Sequence, residues 1–110
     1  MGYDTELYAI KAELCKTFAD PKRLMIIEEL QGGERSVGEL AERLSVAHAV
    51  ASKHLAILRE RGAVRSRRDG TNIYYSLIDP RIGEACGLMH QVLMGMMERN
   101  RELAEKVMRS

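Results

Sequence analysis

Residues 36–61 read SVGELAERLSVAHAVASKHLAILRER, and this stretch decides the fold. Ser36 and Glu39 have capping-box spacing, in which a hydroxyl and a carboxylate satisfy each other's backbone N–H groups at a helix start. A short helix is therefore expected over residues 37–44, with a break near Ser45. A second helix is expected over residues 47–61, stopped by Gly62. In it Ala51, Leu55 and Leu58 recur at helical spacing on one face, while Ala49, Ser52, Lys53 and Ala56 fall roughly opposite. Two short helices joined by a tight turn, the second with a small, unburied working face, make a helix-turn-helix.

Working outward, Leu7, Ile10, Leu14 and Phe18 mark an amphipathic helix over residues 5–19. Asp20-Pro21 restarts the chain, because Asp accepts from free helix N–H groups and Pro tolerates the first helical position. Leu24, Ile27 and Leu30 are the expected buried stripe of this helix before Gly32-Gly33 ends it. After residue 62 the period changes to two, with Ile73, Tyr75 and Leu77 alternating with Asn72, Tyr74 and Ser76. Asp69-Gly70 between the β-like runs predicts a hairpin over residues 63–77. Arg65 and Arg67 share one face of its first strand and Arg68 stands at the turn, so the hairpin reads as a basic wing whose arginines contact phosphates.

Asp79-Pro80 repeats the start signal, and one long helix is expected to about residue 108. Ile82, Cys86, Met89, Leu93, Met96, Asn100, Leu103 and Val107 follow a heptad step, with Asn100 the plainly polar member. At 1.5 Å per residue this helix is roughly 40 Å long, more than so small a domain can cover, so its stripe asks for a partner helix from a second copy of the chain. The neighbouring Met89, Met94, Met96 and Met97 read as adaptable core filling rather than soft-metal ligands.

Composition sets the limits. The chain has 110 residues, 45% apolar and 30% charged, enough for one modest core. No apolar run approaches the roughly 18–20 residues of a membrane span and none follows the N-terminus as a signal peptide would, so a cytoplasmic protein away from the membrane is expected. The net charge is only +1. Its distribution is uneven: residues 1–44 hold six Lys/Arg against nine Asp/Glu, residues 45–76 six against two, and the remainder five of each. One basic segment on a recognition helix and wing is what a polyanion-binding surface requires. The three histidines (48, 54 and 90) have no carboxylate at catalytic-motif spacing and there is no Gly-rich phosphate loop, so an enzyme is not expected. His54 lies nearer the buried edge of its helix and is expected to pack with a hydrogen bond.

Taken in order, Phe18-Ala19-Asp20-Pro21-Lys22-Arg23-Leu24, Ser36-Val37-Gly38-Glu39-Leu40-Ala41, Ser52-Lys53-His54-Leu55-Ala56-Ile57-Leu58-Arg59 and Gly70-Thr71-Asn72-Ile73-Tyr74-Tyr75-Ser76-Leu77 resemble the ArsR/SmtB family of winged-helix repressors. The resemblance covers about residues 15–80. It implies a homodimer packed through the first and last helices, with two recognition helices in successive major grooves of operator DNA. It also implies repression relieved by an inducer, often a metal ion. The family's DNA-reading positions fall on His48, Ala49, Ser52 and Lys53. Many members carry Ser-Gln-Ser where this chain has Ala47-His48-Ala49, and a polar residue or Thr where it has Val50. Gln reads adenine bidentately, whereas His offers one donor or acceptor and Ala only an apolar contact to a thymine methyl. With Ala47 at the cap, about 1 kcal/mol is lost unless Ser45 takes over the capping.

The family's metal sites do not carry over. One uses two cysteines at positions held here by Ser36 and Gly38; the other needs ligands where this chain has Asp79, Arg81 and an isolated His90. No metal and no cofactor is expected. Cys15 and Cys86 lie on the two helices that the resemblance places together. Buried, they are inert filling; as a pair they form a candidate thiol sensor, joined by oxidant or polysulfide.

The expected architecture is α+β and mainly helical: about five helices and a two-stranded hairpin in a single winged helix-turn-helix domain spanning 1–110. Residues 1–19 and 80–108 dimerise, 37–61 form the helix-turn-helix and 63–77 the wing. The expected function is a DNA-binding transcriptional repressor whose inducer is unidentified. The alternatives are a metal- or metalloid-responsive repressor with a non-standard site, and a winged-helix protein-interaction module.

Overall fold

A computed structural model of the chain describes residues 2–109. Helix α1 (Thr5–Thr17) starts where Asp4 accepts the Leu7 N–H at 3.0 Å. Helix α2 (Pro21–Leu30) starts where Asp20 Oδ1 accepts from Lys22 and Arg23 at 2.8 and 3.2 Å, with Pro21 at the first position. Strand β1 (Arg35–Ser36) leads into α3 (Val37–Leu44), whose capping box is complete: Ser36 Oγ accepts the Glu39 N–H and Glu39 Oε1 accepts the Ser36 N–H, both at 3.1 Å. Helix α4 (His48–Glu60), strands β2 (Val64–Asp69) and β3 (Asn72–Leu77), and helix α5 (Arg81–Arg109) complete the chain. At the start of α5, Asp79 accepts from the backbone N–H of Arg81 at 2.9 Å and from its guanidinium at 2.7 Å. These bonds pull the Asp79 carboxyl down to about 2.

The sheet is antiparallel with order β1-β3-β2. The expected two-stranded hairpin thus gains a third strand, in which Arg35 pairs with Tyr75 and Ser36 with Tyr74. Two residues are too short to show an alternating pattern, so only the pairing reveals it. The hairpin loop lies one residue later than expected. Asp69 pairs with Asn72, leaving Gly70-Thr71 as a two-residue loop with Gly70 at φ +63. Positive φ at the first loop residue alone is the type II′ arrangement that suits strand twist.

Ile26, Ile27, Leu40, Leu55 and Leu58 form the fully buried centre, closed by Ala51, Val64 and Tyr75. The expected stripe on α2 needs correction: Ile26 joins Ile27 and Leu30 inside, and Leu24 is exposed. Positions 27 and 30 face inward as expected, and the stripe turns towards position 26 instead of 24. Helix α5 docks by its first turns against α2, where Gly83 is its buried residue. A Cβ at Gly83 would stand under 3 Å from Gln31 Nε2 and Cδ, so a side chain at this position requires the exposed Gln31 side chain to move aside.

The remainder of α5 runs clear of the core. Met89, Leu93, Met96, Leu103 and Val107 are exposed, as are Leu7, Ile10 and Leu14 of α1. The methionines expected as core filling (Met89, Met94, Met96 and Met97) lie outside the core of the isolated chain. No helix among the described residues is long and apolar enough to cross a membrane.

Candidate nucleic-acid interface

The face of α4 turned away from Leu55 and Leu58 exposes Ala49, Lys53 and Ala56; Ser52 is half-buried at its edge and His48 is exposed at the first turn. The four reading positions assigned from the sequence, His48, Ala49, Ser52 and Lys53, are therefore brought together over about two turns of one helix. Small side chains there let the helix axis approach a surface closely. Ala47 holds the N-cap backbone geometry (φ −63, ψ 147) but supplies no side-chain hydrogen bond. Ser45 does not replace it: it ends α3 in the left-handed region at φ 56. The cap expected to be at risk is absent.

His54 departs in one respect from its expected role. Its side chain is only 15% exposed, at the buried edge as expected, yet Nδ1 makes no hydrogen bond. The nearest carboxylate oxygen, Asp20 Oδ1, lies 4.0 Å away and already accepts the two N–H groups that start α2. At Asp20 desolvation opposes ionisation, but the Arg23 and Lys22 N–H bonds and the neighbouring His54 and Arg23 charges together hold its carboxyl below the usual range.

On the wing, the three arginines are exposed but not equivalent. Arg65 Nη2 donates to the Ile78 carbonyl at 3.2 Å. Arg67 donates from Nη2 and Nε to the two carboxylate oxygens of Glu34, at 2.6 and 3.0 Å, and its guanidinium stands 4.9 Å from the Tyr74 ring centre. The Arg67 hydrogen bonds hold Glu34 below the usual carboxylate range and raise Arg67 in turn. Arg68, at the end of β2, makes no ion pair among the described residues. Glu34 was not singled out from the sequence, since a pair 33 residues apart leaves no local pattern.

Cys15 and Cys86 are both free. Cys15 is exposed on α1; Cys86 is half-buried in a groove of about 280 Å³ lined by Leu14, Phe18, Ile82 and Ala85. Burial pushes the Cys86 thiol up. Ser36 caps α3, Asp79 is bound to Arg81, and among the described residues no three His, Cys, Asp or Glu side chains cluster.

This architecture has known relatives. A helix-turn-helix domain family model matches residues 18–67. An HTH-type transcriptional regulator of Mycobacterium tuberculosis, Rv0081, is 41% identical over 88 residues, covering 79% of this chain and 77% of the relative. The biofilm growth-associated repressor of Xylella fastidiosa is 35% identical over 81 residues, covering 74% and 71% of the two chains. The crystal structure of Rv0081 superposes with a TM-score of 0.77 at 38% identity, over 86% of this chain and 95% of that one. The solution structure of Mb0332 from Mycobacterium bovis, described as a homodimeric winged helix-turn-helix DNA-binding domain of a possible ArsR-family regulator, gives 0.77 at 29% identity over 89% and 93%.

The chain belongs to the ArsR/SmtB family of winged-helix transcriptional regulators. Its five helices and its three-stranded antiparallel sheet with the β2–β3 hairpin wing match those winged helix-turn-helix regulators. The relatives it matches are named as a transcriptional regulator and a repressor.

Proposed function

We propose that the chain acts as a homodimer that lays two copies of α4 in successive major grooves of a palindromic operator and represses transcription there. The observation that carries this reading is the exposed, small-residue face of α4 beside a basic wing. His48, Ala49, Ser52 and Lys53 are assigned to base edges, and Arg65, Arg67 and Arg68 to phosphates, which supply affinity without sequence choice. The uncovered apolar stripes of α1 and α5 support a second copy as the partner, as does the homodimeric relative. Two-fold symmetry then sets the recognition helices about 34 Å apart on one face of the duplex. Operator binding takes place in the cytoplasm and involves no membrane.

The test is selection of bound fragments from random DNA, followed by titration. An enriched imperfect palindrome bound at about 10⁻⁸ M or tighter, and weakening steeply with salt, is the expected result. Failure to enrich any sequence, with capture of a protein partner through residues 80–110, would instead favour an interaction module.

For the inducer, the proposal rests on Cys15 and Cys86. Joining them as a disulfide within or between subunits, in which both S–H bonds are lost as two protons leave and two electrons pass to an oxidant or polysulfide, would move α1 against α5, and with them the spacing of the two α4 helices. Equal operator affinity for oxidised and reduced protein, or for Cys→Ser variants, removes this reading.

A further inference from the structure

We infer that Val50, with Ala49 beside it, is a specificity-determining residue that reads the C5-methyl groups of thymines in each half-site. This rests on the assignment of α4 to the major groove.

The first turn of α4 and its cap present Ala47, His48, Ala49 and Val50, all exposed. Val50 itself is 38% exposed, although Ala51 next to it is fully buried. One residue is 100° of helix, so Val50 stands to one side of the core direction, on the flank of Lys53 and Ile57. It contributes nothing to the buried centre. A β-branched residue also gains nothing from a helix interior on propensity grounds.

His48 is the one polar side chain among these four. Ala49 and Val50 cannot donate to or accept from a base edge. The thymine C5-methyl is the apolar group that the base pairs present in the major groove, so methyl contact is the discrimination open to these two residues. Cytosine at the same step would have its N4 donor desolvated against Val50 methyls with no acceptor, which selects against it. His48, Ser52 and Lys53 are left to make the hydrogen bonds at neighbouring steps.

The experiment uses the full chain and a fluorescent duplex selected from random DNA. Each thymine is replaced in turn by deoxyuridine, which removes only the methyl group. The proposal expects one or two thymines per half-site whose replacement weakens the wild type by about fourfold, the ratio that burial of one such group supplies. For Val50→Ala, a change that helix propensity favours and that leaves the core intact, the same replacements should have little effect. Replacing cytosine by 5-methylcytosine at those steps, in a thymine-to-cytosine variant duplex, should recover part of the loss. Equal losses for the wild type and Val50→Ala, no loss at any thymine, or enriched half-sites lacking thymine would each overturn the inference while leaving DNA binding intact. No enrichment at all would overturn both this inference and the assignment it rests on.

Discussion

Arg67 Nη2 and Nε reach the two oxygens of Glu34 at 2.6 and 3.0 Å, tying the wing to the loop between α2 and β1. This fork is the geometry that arginine also offers to a phosphate. Glu34 and a DNA strand therefore compete for the same guanidinium. Glu34→Gln should raise affinity for arbitrary duplex DNA by roughly threefold and steepen its salt dependence by about one phosphate contact. Arg67→Ala should weaken binding to all sequences alike. Anisotropy titrations over a range of salt decide it: an unchanged slope in both variants means that Arg67 only braces the wing.

The bare start of α4 predicts a gain. Ala47 already has extended backbone angles, so Ala47→Ser places a hydroxyl where the first-turn N–H groups lack a side-chain acceptor. Stability should rise by about 0.5–2 kcal/mol, and Ser36→Ala should lower it by a similar amount because it breaks the capping box of α3. Urea unfolding midpoints of both variants measure this.

Gly83, the buried residue of α5, faces the Gln31 side chain at the end of α2. Gly83→Val forces its methyls into the Gln31 side chain and should destabilise by about 1–3 kcal/mol. Gln31 is exposed and can be cut back, so Gly83→Ala with Gln31→Ala should be near neutral or stabilising, helped by the roughly 1 kcal/mol helix preference of Ala over Gly. Thermal melts of the single and double variants test this coupling.

Asp79 predicts a pH dependence of known sign. Its carboxyl is held at about 2 in the folded chain against an ordinary 3.8. The ionised form is thus favoured by folding, and the stabilisation is fully present above the ordinary value. It is lost as pH falls through that value towards 2. The stability difference between wild type and Asp79→Asn should be constant above about pH 5 and shrink steadily below it. A difference that grows on acidification would contradict the pairing with Arg81.

Much of this was legible in the sequence because it is local. The capping box at Ser36 and Glu39, the Asp20-Pro21 start and the buried 51-55-58 stripe each depend on residues within a few positions. What escaped depends on distance. The pairing of β1 with β3, the Arg67–Glu34 fork and the Gly83–Gln31 contact join segments that only tertiary packing brings together. Leu24 was misplaced for a related reason: on a ten-residue helix a small rotation moves a leucine from core to rim, and the neighbouring elements fix that rotation. At the interface, sequence placed His48, Ala49, Ser52 and Lys53 on one helix, but it did not show that Arg65 and Arg67 already hold partners.

The central claim is a two-fold assembly reading two grooves at fixed separation. Sedimentation of the full chain with its selected duplex, and with the same duplex carrying half a helical turn (about five base pairs) inserted between half-sites, tests it most directly. The account predicts two chains per duplex on the selected site and loss of that complex on the lengthened one. One chain per duplex, or equal binding to both duplexes, would contradict it.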